Sequence, residues 1–311
     1  MAEDFPRTMA EMDARFADEV ACREYLWRLR WPAGFVCPGC GAAEAWALHK
    51  GLWQCHTCRR QVSVTAGTVF DGSHLPLPVW FRAMWQMTSQ KNGISALGLQ
   101  RVLGLGSYKT AWTMLHKLRR AMVRPGRERL TGRVEVDEAY WGGEEVGVMG
   151  RETEEKAVIV SAVELKDSGM GRIRLRHIPD TERATLHAFI RDSVEPGSTV
   201  CTDGLQAYRE LVGYGHERHI QKNQPPGEYV LPHVHRVISL LKRWLLGTHQ
   251  GAIAHAHLHD YLNEFAFRFN RRLSASRGKL FYRLAQQAVQ VPPQPFATIR
   301  APQPLGGGGA K

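Results

Sequence analysis

Residues 133–138, Arg-Val-Glu-Val-Asp-Glu, and residues 199–204, Thr-Val-Cys-Thr-Asp-Gly, decide how the chain folds. In an extended strand successive side chains alternate between faces, so Val134 and Val136 share one face while Glu135 and Asp137 share the other. An acid that ends a buried central strand is costly unless it is paired or binds a cation. The second stretch repeats the arrangement: Ser198 to Thr202 reads as a strand, Asp203 stands at its end, and Gly204 stops it.

The pattern continues outward from these two stretches. The run Ala157 to Val163 and the alternation of Ile173, Leu175 and Ile178 predict two strands between them. Asp180-Thr-Glu182 opens a helix through Val194. Two strand-end aspartates, on the first and fourth strands of a three-strand, helix, strand pattern, suit a site that holds two metal ions. Beyond Asp203, helices are expected over Leu205 to Val212, Val234 to Leu246 and His257 to Arg272, with a short strand near His216 to Ile220. In HVHRVISLLKRWLLGTHQG (233–251), Val234, Val237, Leu241 and Leu245 recur at helical spacing. His235 and Lys242 lie seven apart on nearly one azimuth, which could carry His235 to the metal site and Lys242 to a DNA phosphate. In YLNEFAFRFNRR (261–272), Glu264, Arg268 and Arg271 share one helix face, beside an apolar stripe of Tyr261, Phe265 and Phe269. Surface pairing within the helix and phosphate contact are both open for that polar face.

Upstream, Cys37-Pro-Gly-Cys40 and Cys55-His-Thr-Cys58 are separated by fourteen residues. Each CxxC turn presents two sulfurs to one point, and two such turns can close a tetrahedron on a single structural Zn²⁺. The module is too small to bury a core without a metal. Lys50, Arg59 and Arg60 beside it lean toward a nucleic-acid ligand. The remaining Cys22 and Cys201 read as reduced core residues. The expected organisation is a helical lead-in over 1–32, a zinc ribbon over 33–72 and a helical region over 73–124. A catalytic domain over 132–285 and a disordered, Pro- and Gly-rich tail over 286–311 complete it. Within GISALGLQRVLGLGSYKTAWTMLHKLRRAM (93–122), helix, Gly-containing turn and helix permit a helix-turn-helix, with plain helical packing the other reading.

The net charge of +11 favours a polyanionic partner, and residues 222–283 supply seven of those eleven charges. No apolar stretch reaches the roughly 20 residues of a membrane span. The acidic N-terminus lacks the order of a secretory signal, so a cytoplasmic protein without membrane partners is expected.

CPGC, CHTC, VDEAYWGG, TDGLQAY, HRVISLLKRWLLGTHQG and YLNEFAFRFNRR together resemble the zinc-ribbon DDE insertion-sequence transposases of the ISXO2-like group, over about residues 20–285. The resemblance implies an α/β, ribonuclease-H-like catalytic domain that cleaves DNA at element ends and transfers the strand into target DNA. It implies two Mg²⁺ or Mn²⁺ ions, double-stranded DNA as partner, and a homodimer or larger synaptic complex. By it Asp137 and Asp203 are the first two catalytic carboxylates, and Lys242 is the lysine that follows the third position. Lys242, Arg243, Arg268, Arg271 and Arg272 are expected to contact nucleic acid. His235 stands where related members carry Glu or Asn, and reads as a metal ligand, a proton shuttle or a substrate contact. Should His235 prove dispensable, Glu138 and Glu264 are candidate third ligands. The loop after Tyr140-Trp141-Gly-Gly is acidic, through Glu144, Glu145, Glu152, Glu154 and Glu155, where a basic loop is expected. A zinc-ribbon DNA-binding relative without catalysis is the alternative, and a host nuclease of ribonuclease-H type ranks below it.

Overall fold

A computed structural model describes residues 3–124, 126–143, 156–220 and 230–301. The acidic loop at 144–155 and the last ten positions of the expected tail lie outside the described residues. The chain divides into two compact units, one formed by Met1–Arg124 with Leu273–Ala301 and the other centred on Pro125–Arg272.

In the first unit, β1 (Ala45–Ala47), β2 (Leu52–Cys55) and β3 (Gln61–Ser63) form a small antiparallel sheet. Around it stand α1 (Met9–Arg15), α2 (Glu19–Arg30), α3 (Leu77–Ser89), α4 (Ala96–Leu103) and α5 (Tyr108–Ala121). Caps set these helices: Thr8 Oγ1 accepts from Glu11 N, and Asp18 Oδ1 accepts from Ala21 N. Ser95 Oγ caps α4, and Gly104 ends it in the left-handed region at φ 62°, where glycine carries no steric penalty. The turn from Gly104 to Ser107 then leads into α5, so the expected helix, Gly turn, helix is formed.

This unit also recruits the far end of the sequence. Helix α9 (Gly278–Ala288) packs on α2, α3 and α5, and α10 (Phe296–Arg300) packs on α5. Phe281 of α9 meets Phe16, Tyr25, Phe81 and Trp85 at ring centroid separations of 5.7–6.1 Å. Gly278 sits so close to the chain start that an added Cβ would collide with the Pro6 carbonyl oxygen. The domain limits thus differ from those expected at 132–285 and 286–311: residues 273–301 belong with the N-terminal helices, and 296–300 are helical. Leu280, Phe281, Leu284, Ala285 and Ala288 form an apolar stripe that needs a partner, and the N-terminal aromatic cluster supplies it.

The second unit is built on β4 (Arg133–Trp141), β5 (Ala157–Lys166), β6 (Gly169–Ile178), β7 (Thr199–Thr202) and β8 (Gly215–Arg218), in the order β6-β5-β4-β7-β8. β4–β5 and β5–β6 pair antiparallel, while β4–β7 and β7–β8 pair parallel. This mixed sheet is ribonuclease-H-like. α6 (Arg183–Ser193) covers one face through Leu186, Phe189 and Ile190, packed on Val134, Val136 and Val160. α7 (Pro232–His249) and α8 (Leu258–Phe269) cover the other, where Val234, Leu241 and Phe265 join Ala139, Trp141 and Ile159. The period-two reading of β4 therefore holds: Val134 and Val136 face the α6 layer, while Glu135 and Asp137 face the other.

The helix expected over Leu205 to Val212 is reduced to a single 3-10 turn, Gln206–Tyr208. Asp203 Oδ1 accepts the Leu205 N–H at 2.9 Å, an Asx turn that competes with helix, and Glu210 adopts φ 61°. Burial of the Tyr208 ring, whose hydroxyl is drawn to Glu138, completes the departure.

Candidate active site

Parallel pairing sets the middle of β4 against the end of β7: Asp203 directly follows β7, but Asp137 does not end its strand as expected, because β4 runs on to Trp141 in register with β5. Glu135 lies opposite Cys201, so Asp137 and Asp203, each two residues on, project from neighbouring strands at the same edge. Carboxylate oxygens of Asp137, Glu138 and Asp203 lie within 4.8 Å of one another. Three carboxylates so close repel unless protons, donors or cations intervene. Oxygen donors in this number suit a hard divalent cation.

His235, on the first turns of α7, puts Nε2 3.1 Å from Asp137 Oδ2. That hydrogen bond raises the imidazole pKa above its ordinary value, against the opposing effect of burial, with the Asp137, Glu135 and Asp203 charges adding to the rise. The structure thus brings His235 to the carboxylates.

Glu135 positions that helix. Its carboxylate is buried and accepts from the Val234 backbone N–H at 2.7 Å and from His233 Nδ1 at 2.8 Å. A helix start leaves backbone N–H groups without intrahelical acceptors and is electropositive, so a buried carboxylate there is stabilised and the helix is fixed. Leu231 at φ 52° turns the chain into α7, and Pro232 occupies its first turn. The sequence reading placed Glu135 on the face of Asp137 but assigned it no role, because its partner lies 99 positions away.

Glu138 alternates to the opposite face from Asp137, yet its carboxylate still joins the cluster. Its Oε2 accepts from Tyr208 Oη at 2.9 Å. Burial, then the Glu138 charge, pushes that phenol well above its ordinary value, so Tyr208 remains a donor.

Of the other expected residues, Lys242 is half-buried on α7, two turns beyond His235 and about 10 Å along the axis. Arg243 beside it is exposed. Glu264 is fully buried in α8 and is not part of the carboxylate group. Arg268 is half-buried on the same helix. Arg271 stacks over the Phe267 ring at 3.9 Å and donates to the Phe267 carbonyl. Arg272 stacks over Phe269 at 4.1 Å and donates to the carbonyls of Met170, Gly171 and Phe269. The Arg272 bonds to Met170 and Gly171 fasten the end of α8 to β6.

In the ribbon, Cys37, Cys40, Cys55 and Cys58 place their sulfurs within 4.8 Å of one another, with Cys37–Cys58 and Cys40–Cys55 each at 3.6 Å. A tetrahedral zinc with bonds of about 2.3 Å sets sulfurs about 3.8 Å apart, so the cluster fits one Zn²⁺. The Gly39 N–H donates to Cys37 Sγ and holds that thiol low, at about 6, which favours the ligating thiolate. On the ribbon surface, Trp46 is flanked by His56 at 3.9 Å and Arg59 at 4.7 Å. A groove of about 570 Å³ between α2 and the ribbon is lined by Trp27 and Trp53, with Arg23, Arg28 and Lys50 along it. No helix among the described residues is long and apolar enough to cross a membrane.

Comparison with known proteins agrees with this geometry. Residues 129–270 match the family model described as an ISXO2-like transposase domain, and residues 17–61 match the transposase zinc-ribbon domain. A relative from Halobacterium salinarum, described as an uncharacterized protein in transposable element ISH50, is 28% identical over 303 residues, covering 85% of this chain and 94% of its own.

Proposed function

We propose, for a chain that belongs to the zinc-ribbon insertion-sequence transposases with an ISXO2-like DDE domain, that it cuts DNA at element ends and joins the freed strand to target DNA. One observation carries this reading: Asp137 and Glu138 of β4 converge with Asp203 at the end of β7, with His235 against Asp137. Asp137 and Asp203 would hold two divalent cations, Mg²⁺ or Mn²⁺, with His235 at the third position. Bound there, such ions supply Lewis acidity to both the attacking and the leaving oxygen of an in-line displacement. His235 Nε2 orients the Asp137 carboxylate, and Glu135 holds His235 in place by fixing the start of α7. Tyr208 keeps Glu138 hydrogen-bonded, so that acid is a bystander to the cations or a reserve ligand. Lys242 and Arg243, farther along α7, suit the phosphates flanking the scissile one. The ribbon thiolates would hold one Zn²⁺, and the α4–α5 pair with the Trp- and Arg-bearing ribbon surface would bind the duplex. Synapsis of two ends calls for at least two copies.

A DNA-binding relative without catalysis is less favoured, because the acids and His235 are gathered at one point. Cleavage and strand transfer on a matched element end, with Mg²⁺ or Mn²⁺ supplied, test the proposal. Asp137→Ala and Asp203→Ala should each lower the rate by at least about 10³-fold while duplex binding persists. Tight binding with no cleavage by the unaltered protein under either cation refutes it.

A further inference from the structure

Beside the carboxylates lies a second group of metal-ligating side chains. Cys201 on β7 and Glu217 on β8 are register partners across parallel strands, and His219 follows β8. Cys201 Sγ and His219 Nε2 lie 3.8 and 3.6 Å from the same Glu217 oxygen, and one ligand atom from each residue falls within 4.8 Å of the others. Tetrahedral coordination with bonds of about 2.3 Å to sulfur and about 2.1 Å to nitrogen or oxygen sets such pairs about 3.4–3.6 Å apart. The two measured pairs are thus within a few tenths of an ångström of that geometry, and the Cys201–His219 pair must close from no more than 4.8 Å. Cys201 and His219 border a cavity of about 150 Å³ that also touches Arg133, Glu135 and Leu231, which leaves room for a water as fourth ligand.

We propose that Cys201, Glu217 and His219 form a second transition-metal site, distinct from the ribbon and from the carboxylate cluster, for a thiophilic divalent cation of the zinc class. A thiolate, an imidazole and a carboxylate make a borderline-soft donor set that selects against Mg²⁺. Arg133 competes for two of these side chains: its two terminal nitrogens grip Glu217 at 2.9 and 2.8 Å, and one of them lies 3.6 Å from Cys201 Sγ. Both partners of that ion pair are about half exposed, so it is easily given up. On ligation the guanidinium swings into solvent and Cys201 releases its proton to water.

Cobalt titration of the full chain, purified with zinc in the ribbon, tests the site by the thiolate-to-cobalt charge-transfer band in the near ultraviolet. Any exchange at the ribbon contributes equally to the unaltered protein and to its variants, and cobalt on the carboxylates carries no such band. The difference between unaltered protein and Cys201→Ser should show the band and saturate at one cobalt per chain. His219→Ala should weaken that binding at least tenfold, and Arg133→Gln, which frees Glu217, should tighten it severalfold. Circular dichroism and retained ribbon zinc check that each variant is folded. A flat difference spectrum, or a band that His219→Ala and Arg133→Gln leave unchanged, overturns the assignment; should Cys201→Ser not fold, the other two variants decide.

Discussion

At the scale of single residues, the site depends on a carboxylate with no chemical task of its own. Glu135 is buried, accepts the Val234 N–H and holds His233, so it fixes the start of the helix that carries His235. Glu135→Ala leaves that N–H without its acceptor and should cost about 2 kcal/mol, with a cleavage rate about 10–100-fold lower. Glu135→Gln keeps an acceptor oxygen and should recover much of both losses, measured by denaturant unfolding and by the rate on a matched element end. A variant pair that behaves identically would mean that Glu135 does not act through α7. The gathering of Asp137 with Asp203, and of the four ribbon cysteines, was legible because strand alternation and CxxC spacing are local signals. Glu135 and the Tyr208–Glu138 bond were not, since both join segments that only the fold brings together.

At the scale of elements, the β5–β6 hairpin is pinned at its irregular point. The register of the pair shifts between Val163 and Leu165, and Glu164 between them is buried against Arg172, whose side chain approaches to 2.6 Å. The Thr131 and Arg172 N–H groups also donate to it, and an added Cβ at Gly171 would come within 2.7 Å of its oxygen. Burial alone would raise this acid, but the Arg172 and backbone hydrogen bonds outweigh it and hold it at about 2. A depressed folded value means stability that is present above the unfolded value near 4.5 and lost as pH falls through about 2. Glu164→Gln should therefore cost about 2 kcal/mol at neutral pH, and the gap to the unaltered protein should close between pH 4.5 and 2 in denaturant unfolding. A gap independent of pH would locate the loss elsewhere. The sequence read these strands correctly but missed the bulge, because neither propensity nor alternation reports a buried acid waiting for an arginine eight residues on. The failed helix at Leu205–Val212 has a similar origin: an Asx turn from Asp203 and a tertiary tether on Tyr208 override local helical pattern.

At the scale of the whole molecule, the chain crosses its own domain order. Residues 273–301 close the unit that the N-terminus begins, through Phe281 among Phe16, Tyr25, Phe81 and Trp85. Burying each large apolar side chain of α9 stabilises by about 1.5–3 kcal/mol, so their sum is comparable with a domain's whole stability of about 5–15 kcal/mol. A chain ending at Arg272 should keep the β4–β8 sheet but lose protection of α2, α3 and α5, as read by hydrogen exchange. Unchanged protection of those helices would show that α9 is dispensable to them.

Spacing alone was enough to group the four ribbon cysteines, to order the strands that carry Asp137 and Asp203 and to mark the apolar face of α7, because each is written within one or two neighbouring elements. Tertiary structure decided which unit receives α9, which carboxylate anchors α7 and where His235 comes to rest. Those outcomes turn on complementary buried surfaces and buried charges meeting across about a hundred residues or more, and a one-dimensional pattern carries no record of such a meeting.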